Sequence, residues 1–324
     1  MTRLVAFVFT ALIAGASLAQ GEGPRDETRT TLRLEILRQI NHDRSRHGLS
    51  PVVLDAALSE LSDAYCRRQI RYGTTGHFTV DGLTPYMRYS LAGINDGVSE
   101  NAAAWSSSHS FSDRALYEMA RRSQDAMMAE KPPHDGHRKA ILDPHATHVG
   151  IGLAWEKGEF RIVQNFARRY ITWTRPLPRA AAPGEPVLLA AKPIAGYQIE
   201  AISVHHEPIP ETMPQHVANA RSRYGLPDKR IDYLPRLRSY IRPREDGTFN
   251  LVREEYRDGR QGDFTVTADG NFNFTVPLQE GSGVYTVVVW VTQKGERDPI
   301  AASNVSIRVD SPVARQAGAA AGRR

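Results

Sequence analysis

The apolar positions change their spacing along the chain, and each change marks a different kind of element. Leu32, Ile36, Leu37 and Ile40 recur every three to four residues, which predicts a helix with one apolar face, capped by Thr30 or Thr31 and running to about His47. Gly48 ends it and a Leu49-Ser50-Pro51 turn follows. A second helix, capped by Asp55, carries Leu58, Leu61 and Tyr65 on one stripe and stops at Gly73. Residues 73–110 are rich in glycine and serine and are expected as loop, with a short helix at Pro85–Leu91. Ser112 or Asp113 caps a further helix through Leu116, Met119, Ala120, Met127 and Met128 to about Glu130. Beyond His137 the period falls to two. Val149, Ile151 and Leu153 alternate, and Phe160, Ile162 and Val163 follow a Lys157-Gly158 turn, a β-hairpin ending near Arg169.

Residues 172–186 hold four prolines and three consecutive alanines, the composition of a linker. Strands are predicted after it at Val187–Ala191, Tyr197–His205, Thr248–Val252, Asp263–Thr267, Asn271–Pro277, Val284–Thr292 and Asn304–Val309, with Asp269-Gly270 as a tight turn. Seven short strands point to a β-sandwich of immunoglobulin-like type over 187–310, interrupted by a Pro- and Arg-rich insertion at about 206–247. The Ala/Gly/Arg segment 311–324 is expected as a disordered tail.

Composition adds location. Arg3, the apolar run Leu4 to Gly15 and the Ser17-Leu18-Ala19 step before Gln20 have the form of a signal peptide over residues 1–19. Export to the periplasm or exterior is therefore expected, with no transmembrane segment. The formal charge is +5, and +4 once Arg3 is removed, which is mild for this length. Arginines crowd 221–260 but acids interrupt them, so a mixed-sign solvated surface is expected there, with contact to an anionic envelope or glycan left open and no nucleic-acid partner. Six of 41 basic residues are lysine, an arginine bias that suits a GC-rich bacterial genome. Cys66, the single cysteine, excludes an intramolecular disulfide and reads as a small buried apolar group.

The chemistry lies in two Gly-His pairs, Gly76-His77 and Gly136-His137, with the Glu100-Asn101 step between them. Imidazoles beside carboxylates suit a divalent ion or acid–base work. Glycine before each histidine is expected to admit a close backbone approach. His134-x-x-His137 and His145-x-x-His148 have metal-like spacing but fall in loops; His148 is expected to be structural or at the surface, and His205-His206 at the surface. No His-Glu-x-x-His helix, Gly-x-Ser-x-Gly elbow or phosphate-binding loop occurs.

Several of these pieces stand in a familiar order. Asn41-x-x-Arg44-x-x-His47-Gly48-Leu49-Ser50-Pro51, Gly76-His77-Phe78, Asp81-Gly82, Ser99-Glu100-Asn101, Gly136-His137-Arg138-x-x-Ile141-Leu142 and His148-Val149-Gly150-Ile151-Gly152 together resemble the CAP superfamily (cysteine-rich secretory proteins, antigen 5, pathogenesis-related 1) in its cysteine-poor bacterial branch, over about residues 35–170. The resemblance implies a CAP-type α-β-α sandwich over 30–171; with the all-β immunoglobulin-like sandwich read from the strands that follow, an α+β fold is expected. The resemblance also implies an open cleft holding two histidines and two glutamates. His77, Glu100 and His137 match three corners directly. Glu130 suits the fourth, with Met127 where an aromatic residue would stand, and Glu118 is the competitor on the same helix.

Two imidazoles leave a tetrahedral ion half satisfied, so Zn2+ or another divalent cation would bind weakly, on His77 and His137, with Glu100 and Glu130 orienting rings or waters. The alternative is a hydrogen-bonded network without metal. Three functions follow. One is an envelope binding or scaffolding protein whose cleft takes a cation and a lipid, glycan or peptide. Another is a zinc-dependent hydrolase with Glu100 or Glu130 as general base. In the last, the first domain is a spacer for the second. Residues 20–175 alone are expected to retain cleft binding if either cleft reading is right.

Overall fold

The computed structural model describes residues 24–310; the signal peptide and the C-terminal tail expected from the sequence lie outside them. The first half contains α1 (Pro24–Arg46), β1 (Val53–Leu54), α2 (Ala56–Tyr72), α3 (Pro85–Leu91), β2 (Gly97–Ser106), α4 (Asp113–Ala129), α5 (Gly136–Ile141), β3 (His148–Glu156) and β4 (Glu159–Arg168). The strands form one sheet in the order β1-β3-β4-β2, with β1 parallel to β3 and the other pairs antiparallel.

Alternation along β3 and β4 builds the layers. Val149, Ile151, Leu153, Ile162 and Phe166 face Leu32, Ile36 and Ile40 of α1 and Leu116, Ala120 and Met127 of α4. The opposite face sets Ala154 and Val163 against Tyr65 and Cys66 of α2, and Ala167 against Leu58. The result is an α-β-α sandwich, because a sheet with helices on both sides must be apolar on both. Burial pushes the Cys66 thiol well above its ordinary range, which leaves it unreactive.

Helix termini follow the sequence closely. Asp55 accepts the Leu58 amide at 2.8 Å, Ser112 accepts that of Ala115 at 3.3 Å, and Gly73 closes α2 with φ +64°. Several elements differ from expectation, among them α5, a short helix at the start of the segment where strands were expected. The first helix begins at Pro24, six residues before Thr30, with Asp26 and Glu27 in its first turn. Proline fits the first helical position and acids there complement the helix dipole. Within the region expected as loop, β2 runs ten residues along β4.

The motif Asn41-x-x-Arg44 is structural. The Asn41 amide exchanges hydrogen bonds with the backbone of Val52. Arg44 is fully buried and donates to the carbonyls of Ser50, Ile141, Asp143 and Ala146. It thereby ties α1 to the segment that follows α5.

The second half contains β5 (Ile171–Trp173), β6 (Ala180–Ala181), β7 (Val187–Pro193), β8 (Tyr197–Glu207), α6 (Gln215–Ala220), β9 (Arg230–Tyr233), β10 (Ser239–Pro243), β11 (Phe249–Arg253), β12 (Thr265–Val266), β13 (Phe272–Val276), β14 (Gly283–Gln293), β15 (Ile300–Ala301) and β16 (Val305–Val309). One sheet runs β12-β13-β7-β5 and the other β6-β16-β14-β8-β9, with β15 also paired to β14. Leu189, Phe272 and Phe274 from the first meet Ile202, Tyr285, Val287 and Ile307 from the second in one core. The pair β10-β11 forms a separate two-stranded sheet.

Residues 172–186 are not a free tether: β5 pairs with β7, and β6 runs parallel to β16. The insertion at 206–247 is also built in, since it first folds back onto the first half and then supplies β9 to the larger sheet. On the first half, the Met213 amide donates to the Val80 carbonyl at 2.8 Å, and Gln215 and Asn219 donate to that of Gly73. Around α3, Tyr86 and Met87 pack with Val284, Tyr224 and Leu226. The Ser306 amide donates to Ser90 Oγ at 2.6 Å, and Gly97 N–H to the Ala302 carbonyl at 3.2 Å.

Candidate functional site

Each of the two histidines is held by a carboxylate. The loop before His77 is fixed from α2, where Tyr65 Oη and Gln69 Nε2 both donate to the Gly76 carbonyl, at 2.9 and 2.7 Å. His77 Nδ1 lies 3.0 Å from Glu100 Oε1 on β2. Glu100 is buried, and its other oxygen accepts from Arg88 Nη2 at 2.6 Å and Tyr89 Oη at 3.0 Å, both from α3. Burial alone would raise the Glu100 carboxyl, but the Arg88 guanidinium and then His77 overcome it and hold it below its usual value. Arg88 stacks over the Tyr65 ring at 3.4 Å and also donates to the His77 carbonyl at 3.2 Å.

The second pair sits where α4 gives way to α5. Glu130 Oε2 accepts the amides of His137 and Arg138, at 3.0 and 3.4 Å, while Oε1 lies 2.5 Å from His137 Nδ1. The carboxylate thus satisfies amides at the start of α5 and orients the ring. Asn101, next to Glu100, donates to the His137 carbonyl at 3.1 Å and links the pairs. The ring centres of His77 and His137 are 6.3 Å apart.

Both pairs line one open cavity of about 1110 Å³. Arg138, Lys139, Arg168, Arg223, Asp135 and Asp143 line it as well, together with His134 and Tyr224. Arg168 is paired with Asp143 at 2.7 Å and Lys139 with Asp135 at 2.8 Å.

His77, Glu100, Glu130 and His137 are therefore brought together. Glu118 lies elsewhere, on the exposed face of α4, paired with Arg122. His148 begins β3 with Nδ1 2.9 Å from Thr147 Oγ1, and burial first, then Arg169, lowers its pKa. His205 is not at the surface: it is buried under the returning insertion, with Nδ1 2.8 Å from the Pro227 carbonyl. The steric role expected of the two glycines is absent. A Cβ on Gly136 would meet nothing within 4 Å, and one on Gly76 only the Arg221 carbonyl at 3.8 Å. Neither has a positive φ, because one opens a helix and the other lies in an ordinary loop conformation.

Three participants were not foreseen. Arg88 and Tyr89 had a signal, since a charge inside the apolar Pro85–Leu91 helix calls for a buried partner. Tyr224 had none. It arrives from the insertion, its ring centre 4.8 Å from that of His77 in an edge-on contact. Its hydroxyl accepts the Glu100 amide at 2.6 Å. Burial, then the charge of Glu100, pushes its pKa up, so it stays neutral.

With each Nδ1 engaged by a carboxylate, the imidazoles are set to donate there and to keep a lone pair on Nε2. Two imidazoles sharing a tetrahedral ion at about 2.0–2.1 Å each would bring their ring centres to about 5 Å. The observed 6.3 Å is wider, so the rings must approach each other to ligate one ion. Among the described residues no three His, Cys, Asp or Glu gather into a cluster that could hold a metal. His77 and His137 are the residues that would hold a cation, with its remaining positions left to water or ligand.

The model of the CAP, or cysteine-rich secretory protein, family matches residues 37–166. A solved extracellular protein containing an SCP domain from Bacillus anthracis str. Ames is similar at 18% identity and TM-score 0.34, over 46% of this chain and 45% of that one. This chain therefore spans less than half the length of that protein. An outer surface protein from Borrelia burgdorferi is similar at 18% identity and TM-score 0.34, over 44% of this chain and 93% of that one. No curated protein matches the sequence.

Proposed function

We propose, since residues 37–166 match the CAP family model, that this is an exported binding or scaffolding protein of the cell envelope. Its cleft takes a divalent cation on His77 and His137 together with an extracellular lipid, glycan or peptide. The observation that carries the reading is the pair of carboxylate-anchored imidazoles facing one open cavity. Rings fixed at Nδ1 lose little freedom on ligation. A bound cation would supply an exchangeable coordination position for an anionic or carbonyl group of the ligand. Export rests on the N-terminal apolar segment. Among the described residues no helix is long and apolar enough to cross a membrane. The immunoglobulin-like assignment of the second half belongs to the same reading and rests on two facing sheets around one core.

The hydrolase alternative needs a free general base. Glu100 is a poor one, because both its oxygens are committed to His77, Arg88 and Tyr89. That leaves Glu130, whose oxygens are also engaged. Binding is accordingly favoured over hydrolysis.

Zinc calorimetry at neutral pH tests the reading. One equivalent should bind to the protein, and His77→Ala and His137→Ala should each abolish the heat. Glu130→Gln should weaken affinity by about 10–100-fold. No heat, or heat untouched by the histidine substitutions, would return the four residues to a purely structural network.

A further inference from the structure

We propose that the hairpin of β10 and β11 is a docking surface for an anionic lipid bilayer. Its two strands pair only with each other, in a register that sets Ile241 opposite Leu251 and Pro243 opposite Phe249. Alternation puts these four apolar side chains on one face. Ile241 is 66% exposed, Phe249 69% and Leu251 58%. With Tyr240 on the other face, the hairpin carries four of the ten large hydrophobic residues that are exposed among the described residues. A contiguous exposed apolar face of this kind marks an interaction site.

Charge identifies the occupant. Arg236 and Arg238 lead into β10, Arg244 follows it, and Arg253 ends β11 on the apolar face. None of these four arginines forms an ion pair among the described residues. Arginine stems can lie along the acyl boundary while their guanidinium groups stay with lipid phosphates. The acids Glu245 and Asp246 occupy the turn, where Asp246 accepts from the Thr248 amide at 2.9 Å, and Glu254 and Glu255 follow Arg253 at the opposite end of the hairpin, leaving a small excess of positive charge. A hairpin with acids at its tip would not enter a bilayer end-on, so it lies flat with the apolar face down and the turn in water. Size argues against a protein partner. The face offers on the order of 400 Å², about half of the ~800 Å² per partner that a stable protein interface buries. Attachment at a lipid interface scales with apolar area and charge and has no such threshold.

Vesicle co-sedimentation tests this, comparing phosphatidylcholine alone with phosphatidylcholine mixed with phosphatidylglycerol. The protein should sediment with the anionic vesicles, less so at high salt. A triple Ile241→Ser, Phe249→Ser, Leu251→Ser variant should stay in the supernatant. Arg236→Gln, Arg238→Gln and Arg253→Gln should each weaken binding by about fivefold. All six positions are remote from the cleft and exposed or on the hairpin stem, so zinc heat and thermal midpoint should be unchanged, which separates this result from the fate of the metal reading. Absence of the wild-type protein from anionic vesicles, or sedimentation of the triple variant with them, would overturn the proposal. So would a dimer in sedimentation velocity that the triple variant abolishes without any vesicle binding, which would make the face a contact between copies.

Discussion

Glu100 is where the cleft's chemistry and its stability meet. Its carboxylate neutralises a buried guanidinium while orienting His77, so the two roles cannot be separated by substitution. Glu100→Gln leaves Arg88 charged without a partner in a buried site, and the expected loss is about 3–5 kcal/mol of stability. The pH dependence follows from the same contacts. The folded carboxyl titrates below its ordinary value of 4.5, so its contribution is complete above about pH 4.5 and is lost as pH falls through the lower folded value. Thermal midpoints measured from pH 7 down to pH 3 should fall more steeply for the wild-type protein than for Glu100→Gln. Parallel curves would mean that Glu100 is not the group responsible. His77, Glu100 and His137 were readable because each stands in a short motif, whereas Glu130 was preferred to Glu118 only by its place at the end of the helix, with Met127 where an aromatic residue would stand. Arg88 and Tyr224, which decide how tightly Glu100 is held, stand in no such motif, and only the folded chain brings them near.

At the scale of elements, periodicity revealed what packs and concealed what carries function. The stripes of α2 and α4 and the alternation in β3 were visible because each buries an apolar face. β2 was not, because Gly97-Val98-Ser99-Glu100-Asn101-Ala102-Ala103-Ala104 has Val98 as its one β-branched residue among small and polar ones. The strand is held by β4 and spends two of its four buried positions on Glu100 and Asn101. α5 was missed for a simpler reason, since six residues are too few to show a helical period. The glycines of β3 do have a packing role. A Cβ on Gly152 would lie 2.3 Å from the Ser62 carbonyl carbon, and one on Gly150 2.4 Å from Leu58 Cγ and 2.7 Å from its carbonyl carbon. These are atoms of α2, and the backbone contacts cannot be relieved by a rotamer change. Gly152→Ala should therefore push α2 off the sheet, at a cost of about 1–3 kcal/mol. Chemical denaturation reads the loss, and an unchanged midpoint would show that α2 can shift freely.

Across the whole molecule, the two halves behave as parts of one site. From composition, 172–186 looked like a tether and 206–247 like an interruption. Both impressions came from proline and charge, which report a local lack of periodicity and say nothing about distant contacts. In the fold, the insertion reaches the first half through Met213, Gln215 and Asn219 and places Tyr224 against His77 and Glu100. Tyr86 and Met87 of α3 are buried together with Val284, and each such side chain contributes about 1.5–3 kcal/mol by leaving water. This changes the outcome expected for a chain that stops at Arg175. A modular protein would keep the cleft intact in that fragment. Here the fragment exposes Tyr86 and Met87, leaves β5 without its partner β7, and strips both the ring and the hydroxyl of Tyr224 from the His77–Glu100 pair. It should melt at lower temperature, bind an apolar dye, and take up zinc more weakly than the full chain. Tyr224→Ala in the full chain should reproduce the weaker zinc binding with a smaller loss of stability, because the α3 interface survives. Equal zinc affinity in the fragment, the variant and the full chain would mean that the insertion only covers the cleft and does not shape it.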